Sequence, residues 1–140
     1  MSHLFPSVEW AAAYKQAIND NPKYKEAGKD WTHGAVAMVV KADAALGIAE
    51  DTALWLDIDR GVCADCRLMS AAEAQAAPFV IVADYARWKS VIKKELDPIK
   101  GMMQNKLKLT KGHMPTIVKY VNSSRELVET TSMVDTKFRD

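Results

Sequence analysis

A chain of 140 residues, 49% hydrophobic and 26% charged, has the balance of one ordinary globular domain, residues 1–140, around one core. Its formal net charge of +1 and the lack of any long block of like charge argue against nucleic acid and against a membrane surface held by charge alone. Two cysteines cannot build a disulfide scaffold, no apolar run approaches the ~20 residues of a membrane-spanning helix, and the first residues lack a secretory pattern, so a cytoplasmic location is expected.

Ser7, after Pro6, supplies an N-cap, and Trp10, Tyr14, Ala17 and Ile18 recur at helical spacing, which predicts a first helix ending at Asn19-Asp20-Asn21-Pro22. Asn21, with Pro22 at the first helical position, starts a second short helix that carries Tyr24 and ends near Gly28 or Trp31. Residues 35–42, AVAMVVKA, read as a strand that is apolar on both faces for most of its length. Residues 43–51 form a loop or helical turn around Gly47. In residues 53–59, Leu54, Leu56 and Ile58 alternate with Trp55, Asp57 and Asp59, the pattern of a half-buried strand. Arg60-Gly61 suits a tight turn, and residues 62–69 return as the antiparallel partner. The Ala-rich residues 70–77 predict a helical turn or loop.

Residues 79–84, FVIVAD, are suited to a fourth strand, and Asp84 caps a helix with Trp88, Val91, Ile92 and Leu96 on one face. Asp97-Pro98 starts another short helix, and Asn105 takes the left-handed conformation that ends it. A fifth strand is predicted over residues 106–111. Met114, Ile117, Val118 and Val121 then follow one helical stripe. Ser123 and Glu126 have the spacing of a capping box that would begin a final helix with Leu127, Val128 and Thr131. A tail follows from which Phe138 docks back. The count is five strands and five or six helices, with the first three strands nearly consecutive. That is an α+β fold: a five-stranded, mainly antiparallel sheet with helices packed on one face.

The order of these elements resembles the sterol carrier protein family, in its bacterial branch. The features that carry the resemblance are the N-terminal helix, the three-strand meander, the strand at residues 79–84 and the helix centred on Trp88. Asp97-Pro98, Met102-Met103 and the Lys/Leu strand closing on Gly112 complete the series, and Asn21-Pro22, Tyr24 and Trp31 fit its early part. The likeness spans roughly Val8 to Phe138. It implies an apolar cavity between the sheet and the C-terminal helices, and a fatty acid, fatty acyl-CoA or sterol as ligand. Asn105 stands where the family usually has Gly, and Lys137-Phe138-Arg139-Asp140 is not a peroxisomal signal.

Within that frame the candidate cavity walls are Trp88, Ile92, Met102, Met103, Leu107, Leu109, Met114, Ile117, Val118 and Val121. Methionine is flexible and polarisable, so Met102, Met103 and Met114 suit a surface that accepts varied apolar shapes, although each also suits ordinary core packing. Leu107 and Leu109 are expected to share one strand face. Cys63 and Cys66 have redox or metal spacing. They lie inside a predicted strand, however, where residues three apart point to opposite faces, so two free thiols are expected. His113 has no partnered nucleophile or carboxylate nearby, and no metal or cofactor set is visible, so no enzymatic activity is expected. Lys93, Lys94, Lys100, Lys106, Lys108 and Lys111 read either as a solvated face or as a rim pairing with a carboxylate or CoA phosphate. The function expected is a lipid carrier for an apolar small molecule. The alternative is a ligand-free interaction module that uses Trp55, Val80 and Val82 on the second sheet face. Transient membrane contact and a homodimer fit either reading.

Overall fold

A computed structural model describes residues 2–139. The first helix, α1 (Val8–Asp20), starts where Ser7 accepts a hydrogen bond from the Trp10 N–H, and buries Trp10, Ala11, Tyr14 and Ile18 on one face. Asn21 caps α2 (Pro22–Gly28) by accepting from the Lys23 N–H. Strands β2 (Val36–Val40), β3 (Thr52–Asp59) and β4 (Val62–Ser70) follow, β1 being the short His3–Leu4 segment at the N-terminus. One helical turn, α3 (Ala71–Ala74), leads to β5 (Phe79–Ala83). The second half adds α4 (Tyr85–Ile92), α5 (Pro98–Met103), β6 (Lys108–Lys111), α6 (Met114–Lys119), α7 (Val121–Thr131) and β7 (Thr136–Lys137).

Five strands form one sheet in the order β4-β3-β2-β5-β6. The β4/β3, β3/β2 and β5/β6 pairs are antiparallel, and β2 and β5 are parallel, so the expected mainly antiparallel α+β sheet is what forms. Alternation along β2 sends Val36, Met38 and Val40 to one face and Ala37 and Val39 to the other. The first face meets the helices and holds the main core. The second meets α3 and the turn after it, where Ala74 and Ala77 cover Ala37, Ala53 and Val80. The helices are therefore on one face except for this single turn. Val80 is fully buried, so the apolar patch expected there shrinks to the half-exposed Trp55, Met69 and Val82.

Four local expectations change. The β3/β4 register shifts at Asp57/Ile58: Asp57 pairs with Asp65 and Ile58 with Cys63, which leaves Ala64 as an extra residue. The bulge turns Cys63 and Cys66 to the same buried face, against strict alternation, and both remain free thiols. Asn19 holds the bulge: its side chain accepts from the Cys63 N–H at 2.8 Å and donates to the Cys63 carbonyl at 2.9 Å.

The capping box lies elsewhere. Ser70 and Glu73 form one at α3, whereas α7 begins at Val121 with no side-chain cap. Ser123 thus falls inside the helix and is buried, and the Glu126 carboxylate accepts from Asn21 at 3.1 Å. The predicted stripe Met114, Ile117, Val118, Val121 is split between α6 and α7 by a break at Tyr120 (φ −105°, ψ 39°).

Finally, β6 is shorter than expected. The Lys106 and Leu107 N–H groups fold back to the Gly101 carbonyl at 2.8 and 3.1 Å, so Leu107 precedes the strand instead of sharing a face with Leu109. Asn105 does take the left-handed conformation, φ 58°. The tail is also tied down. β7 pairs in parallel with β1, Phe138 packs on the core, and Arg139 donates to the Phe5, Pro6 and Leu46 carbonyls. Among the described residues no helix is long and apolar enough to cross a membrane.

Candidate functional site

Between the sheet and the helical layer lies a cavity of about 80 Å³. Its floor is the helix-facing side of the sheet: Val36, Met38 and Val40 of β2, Leu54, Leu56 and Ile58 of β3, and Ile81 of β5. Its roof comes from α4 (Trp88, Val91, Ile92), α5 (Pro98, Met102) and α7 (Ser124, Leu127, Val128, Thr131), with Leu107 and Ile117 between them. Phe5, Trp10, Tyr14 and Trp31 add aromatic surface to the lining. No Asp, Glu, Lys, Arg or His lines it among the described residues. Protein interiors are normally packed like organic crystals, so a gap under such large side chains departs from ordinary packing.

The aromatic lining residues present apolar surface because their polar atoms are engaged elsewhere. Trp88 Nε1 donates to the Val39 carbonyl at 2.9 Å and Trp31 Nε1 to the Gly34 carbonyl at 2.9 Å. Trp10 Nε1 donates to Thr136 Oγ1 at 2.9 Å, and the Tyr14 hydroxyl to the Leu127 carbonyl at 2.8 Å. These bonds also fix the ring orientations. Helix α7 is anchored to the α1/α2 junction through Asn21, whose side chain donates to the Thr130 side-chain Oγ1 at 2.9 Å.

Of the residues singled out from the sequence, Trp88, Ile92, Met102, Leu107 and Ile117 line the cavity. Leu109, Met114 and Val121 pack on the surrounding core without reaching it. Met103 and Val118 are exposed, at 68% and 41%. The sheet floor, Trp10, Tyr14, Trp31 and the α7 residues are walls that the sequence reading misses. The signal for the floor is present in the Leu54, Leu56, Ile58 alternation. The basic residues sit on the exterior: Lys94 pairs with Glu129 at 2.8 Å, and Lys111 donates to the Gln75 carbonyl at 2.6 Å.

Four titratable groups are buried in the main core, and of these only Tyr14 lines the cavity. Burial pushes the Cys63 thiol up to about 11 and the Tyr24 phenol up to about 12. Burial likewise raises Tyr14 and Cys66, reinforced by their negative-going neighbours Cys66 and Cys63 respectively. All four stay neutral at physiological pH, which makes the thiols weak nucleophiles. The arrangement is suited to holding an apolar molecule and offers no acid–base pair.

The known proteins agree with this architecture. The family model described as the SCP-2 sterol transfer family matches residues 13–122. A crystal structure of sterol carrier protein 2 superposes with a TM-score of 0.85 at 32% identity, covering 91% of this chain and 97% of that one. The solution structure of a conserved hypothetical protein from Thermus thermophilus, described as a candidate sterol carrier protein, superposes at 0.87 with 30% identity, covering 98% and 94%. Sterol carrier protein 2 from Yarrowia lipolytica, in its apo form, shares the fold at 0.55 and 14% identity, covering 86% and 87%. No curated protein sequence matches significantly. With a sterol-carrier-protein-like α+β fold, a matching family model over most of its length and a bacterial relative among its structural neighbours, this chain belongs to the SCP-2 sterol transfer family.

Proposed function

We propose that this chain is a non-enzymatic lipid carrier that holds a fatty acid, fatty acyl-CoA or sterol-like molecule between the sheet and the helices α4–α7. The observation that carries the reading is the uncharged cavity of about 80 Å³ at the centre of the core. Family membership supports it. Burial of each methylene contributes about 0.8 kcal/mol, so a long chain outweighs the cost of being ordered. Trp88, Ile92, Met102, Leu107 and Ile117 are the proposed contacts among the residues picked from the sequence.

The cavity is far smaller than the roughly 300–1,000 Å³ of sites that bury drug-sized ligands. Binding therefore enlarges it. The helices suited to move are α5 and α6, of six residues each. Such short helices owe their stability to packing and shift at low cost. Met102 on α5 lines the cavity and can re-pack as its helix moves.

Native mass spectrometry of the purified protein, followed by organic extraction, tests the reading. A lipid of defined mass bound one-to-one, or stoichiometric uptake of added C16 lipid by the extracted protein, is the expected result. An empty protein that takes up none of the three ligand classes would contradict it.

A further inference from the structure

Two of the aromatic walls are held from behind by the chain that follows α7. Phe5 and Trp10 both line the cavity, edge to face, with ring centroids 4.8 Å apart. Trp10 Nε1 donates to Thr136 Oγ1 at 2.9 Å. The Phe5 N–H donates to the Lys137 carbonyl at 3.0 Å, and Arg139 Nε donates to the Phe5 carbonyl at 3.3 Å. Residues 135–139 do not line the cavity themselves, and each is half-buried or exposed. They therefore stand between this wall and solvent. Phe5 lies in a bend between β1 and α1, so its side chain can swing without unwinding a helix.

This cover is thin. β7 is two residues long and pairs with the two residues of β1, well short of a ladder that stands by itself. What holds the segment beyond that pairing is Phe138 on the core and, above all, Arg139. The Arg139 guanidinium also donates to the Pro6 carbonyl at 3.1 Å and the Leu46 carbonyl at 3.3 Å, and its backbone N–H to the Tyr85 hydroxyl at 2.6 Å. Hydrogen bonds from a charged donor are strong, but here one side chain makes all three, so they form and break together. Val134 is buried in the core, so movement of the segment starts at Asp135.

Building on the carrier reading, we propose that residues 135–139 are a clasp over the Phe5–Trp10 wall, with Arg139 as its fastener. When Arg139 lets go, Phe5 loses its outer supports and swings aside, and an apolar ligand passes where its ring stood. α5 and α6 make room for the ligand, whereas the clasp sets how fast it enters and leaves. It closes over the empty and the filled cavity alike. Weakening it therefore speeds entry and exit together and leaves affinity nearly unchanged.

The test follows release of the neutral fluorescent hydrocarbon diphenylhexatriene from the loaded full chain to phosphatidylcholine vesicles, by stopped flow, beside its equilibrium affinity. Arg139→Ala is expected to release it roughly tenfold faster, with affinity within about twofold of wild type. Thr136→Val removes the Trp10 acceptor and keeps every Arg139 bond, and about threefold faster release is expected of it. Ser70→Ala is the control: it removes the cap of α3 on the far face of the sheet, so it lowers the melting temperature and leaves release within about twofold. Unchanged release in both clasp variants overturns the clasp while the carrier reading stands. Release that speeds up equally in Ser70→Ala overturns it too, since general loosening then explains the rates. A wild-type protein that takes up no diphenylhexatriene refutes both.

Discussion

The two faces of the sheet use the same strands for opposite ends. On β2, Val36, Met38 and Val40 face the helices and leave a gap, whereas Ala37 and Val39 face α3 and leave none. The closed face is built from small side chains against one helical turn, so backbone comes close to backbone. The open face is built from large side chains under a roof of several short helices, which cannot all interlock with the floor. Under the proposed function, the closed side supplies a firm floor and the open side a roof that adapts to the ligand.

The largest effect should come from Trp88, which roofs the cavity and reaches the strand beneath through Val39. Trp88→Ala is expected to cost about 3–5 kcal/mol in urea unfolding, since it removes both packing and an indole hydrogen bond. Next comes a matched pair on one strand. Ala37→Leu, on the closed face, should cost about 1–3 kcal/mol by overpacking. Val40→Phe, a larger addition on the open face, should stay within about 1 kcal/mol of wild type or stabilise, because it fills space. Equal losses from the two substitutions would erase the contrast between the faces.

High pH separates the faces in another way. The Cys63 thiol titrates near 9 in the unfolded chain and at about 11 when folded, so the folded state holds its proton more tightly. This share of stability is full below pH 9 and is lost as pH rises through 11, and Tyr24 extends the decline towards 12. Denaturation midpoints measured from pH 8 to 11 should fall, and fall less in Cys63→Ala. The smallest effect belongs to Met103, which is exposed: Met103→Ser should change stability by less than about 0.5 kcal/mol.

Much of the architecture was legible because local signals agreed with one another. Ser7, Asn21, Asp84 and Asp97 act as the caps their positions suggested, and the alternation of β3 gave its buried face correctly. The misses arose where tertiary structure overruled a local pattern. A bulge at Ala64 cannot be seen in one strand's periodicity, so the shared face of Cys63 and Cys66 was hidden. The Ser123/Glu126 spacing looked like a cap, but Glu126 is engaged by Asn21, far away in sequence. The candidate site was half readable for a related reason. Helical spacing finds an apolar stripe, yet it does not tell a stripe that lines a void from one that fills the core, and the break at Tyr120 rotated the stripe midway.

The central claim is that an apolar ligand occupies the open face. Titration of diphenylhexatriene into wild-type protein and into Val40→Phe tests it most directly. The account predicts one-to-one binding by the wild type and at least tenfold weaker binding by a variant that melts at the same temperature or higher. Equal affinity for the two proteins would contradict it.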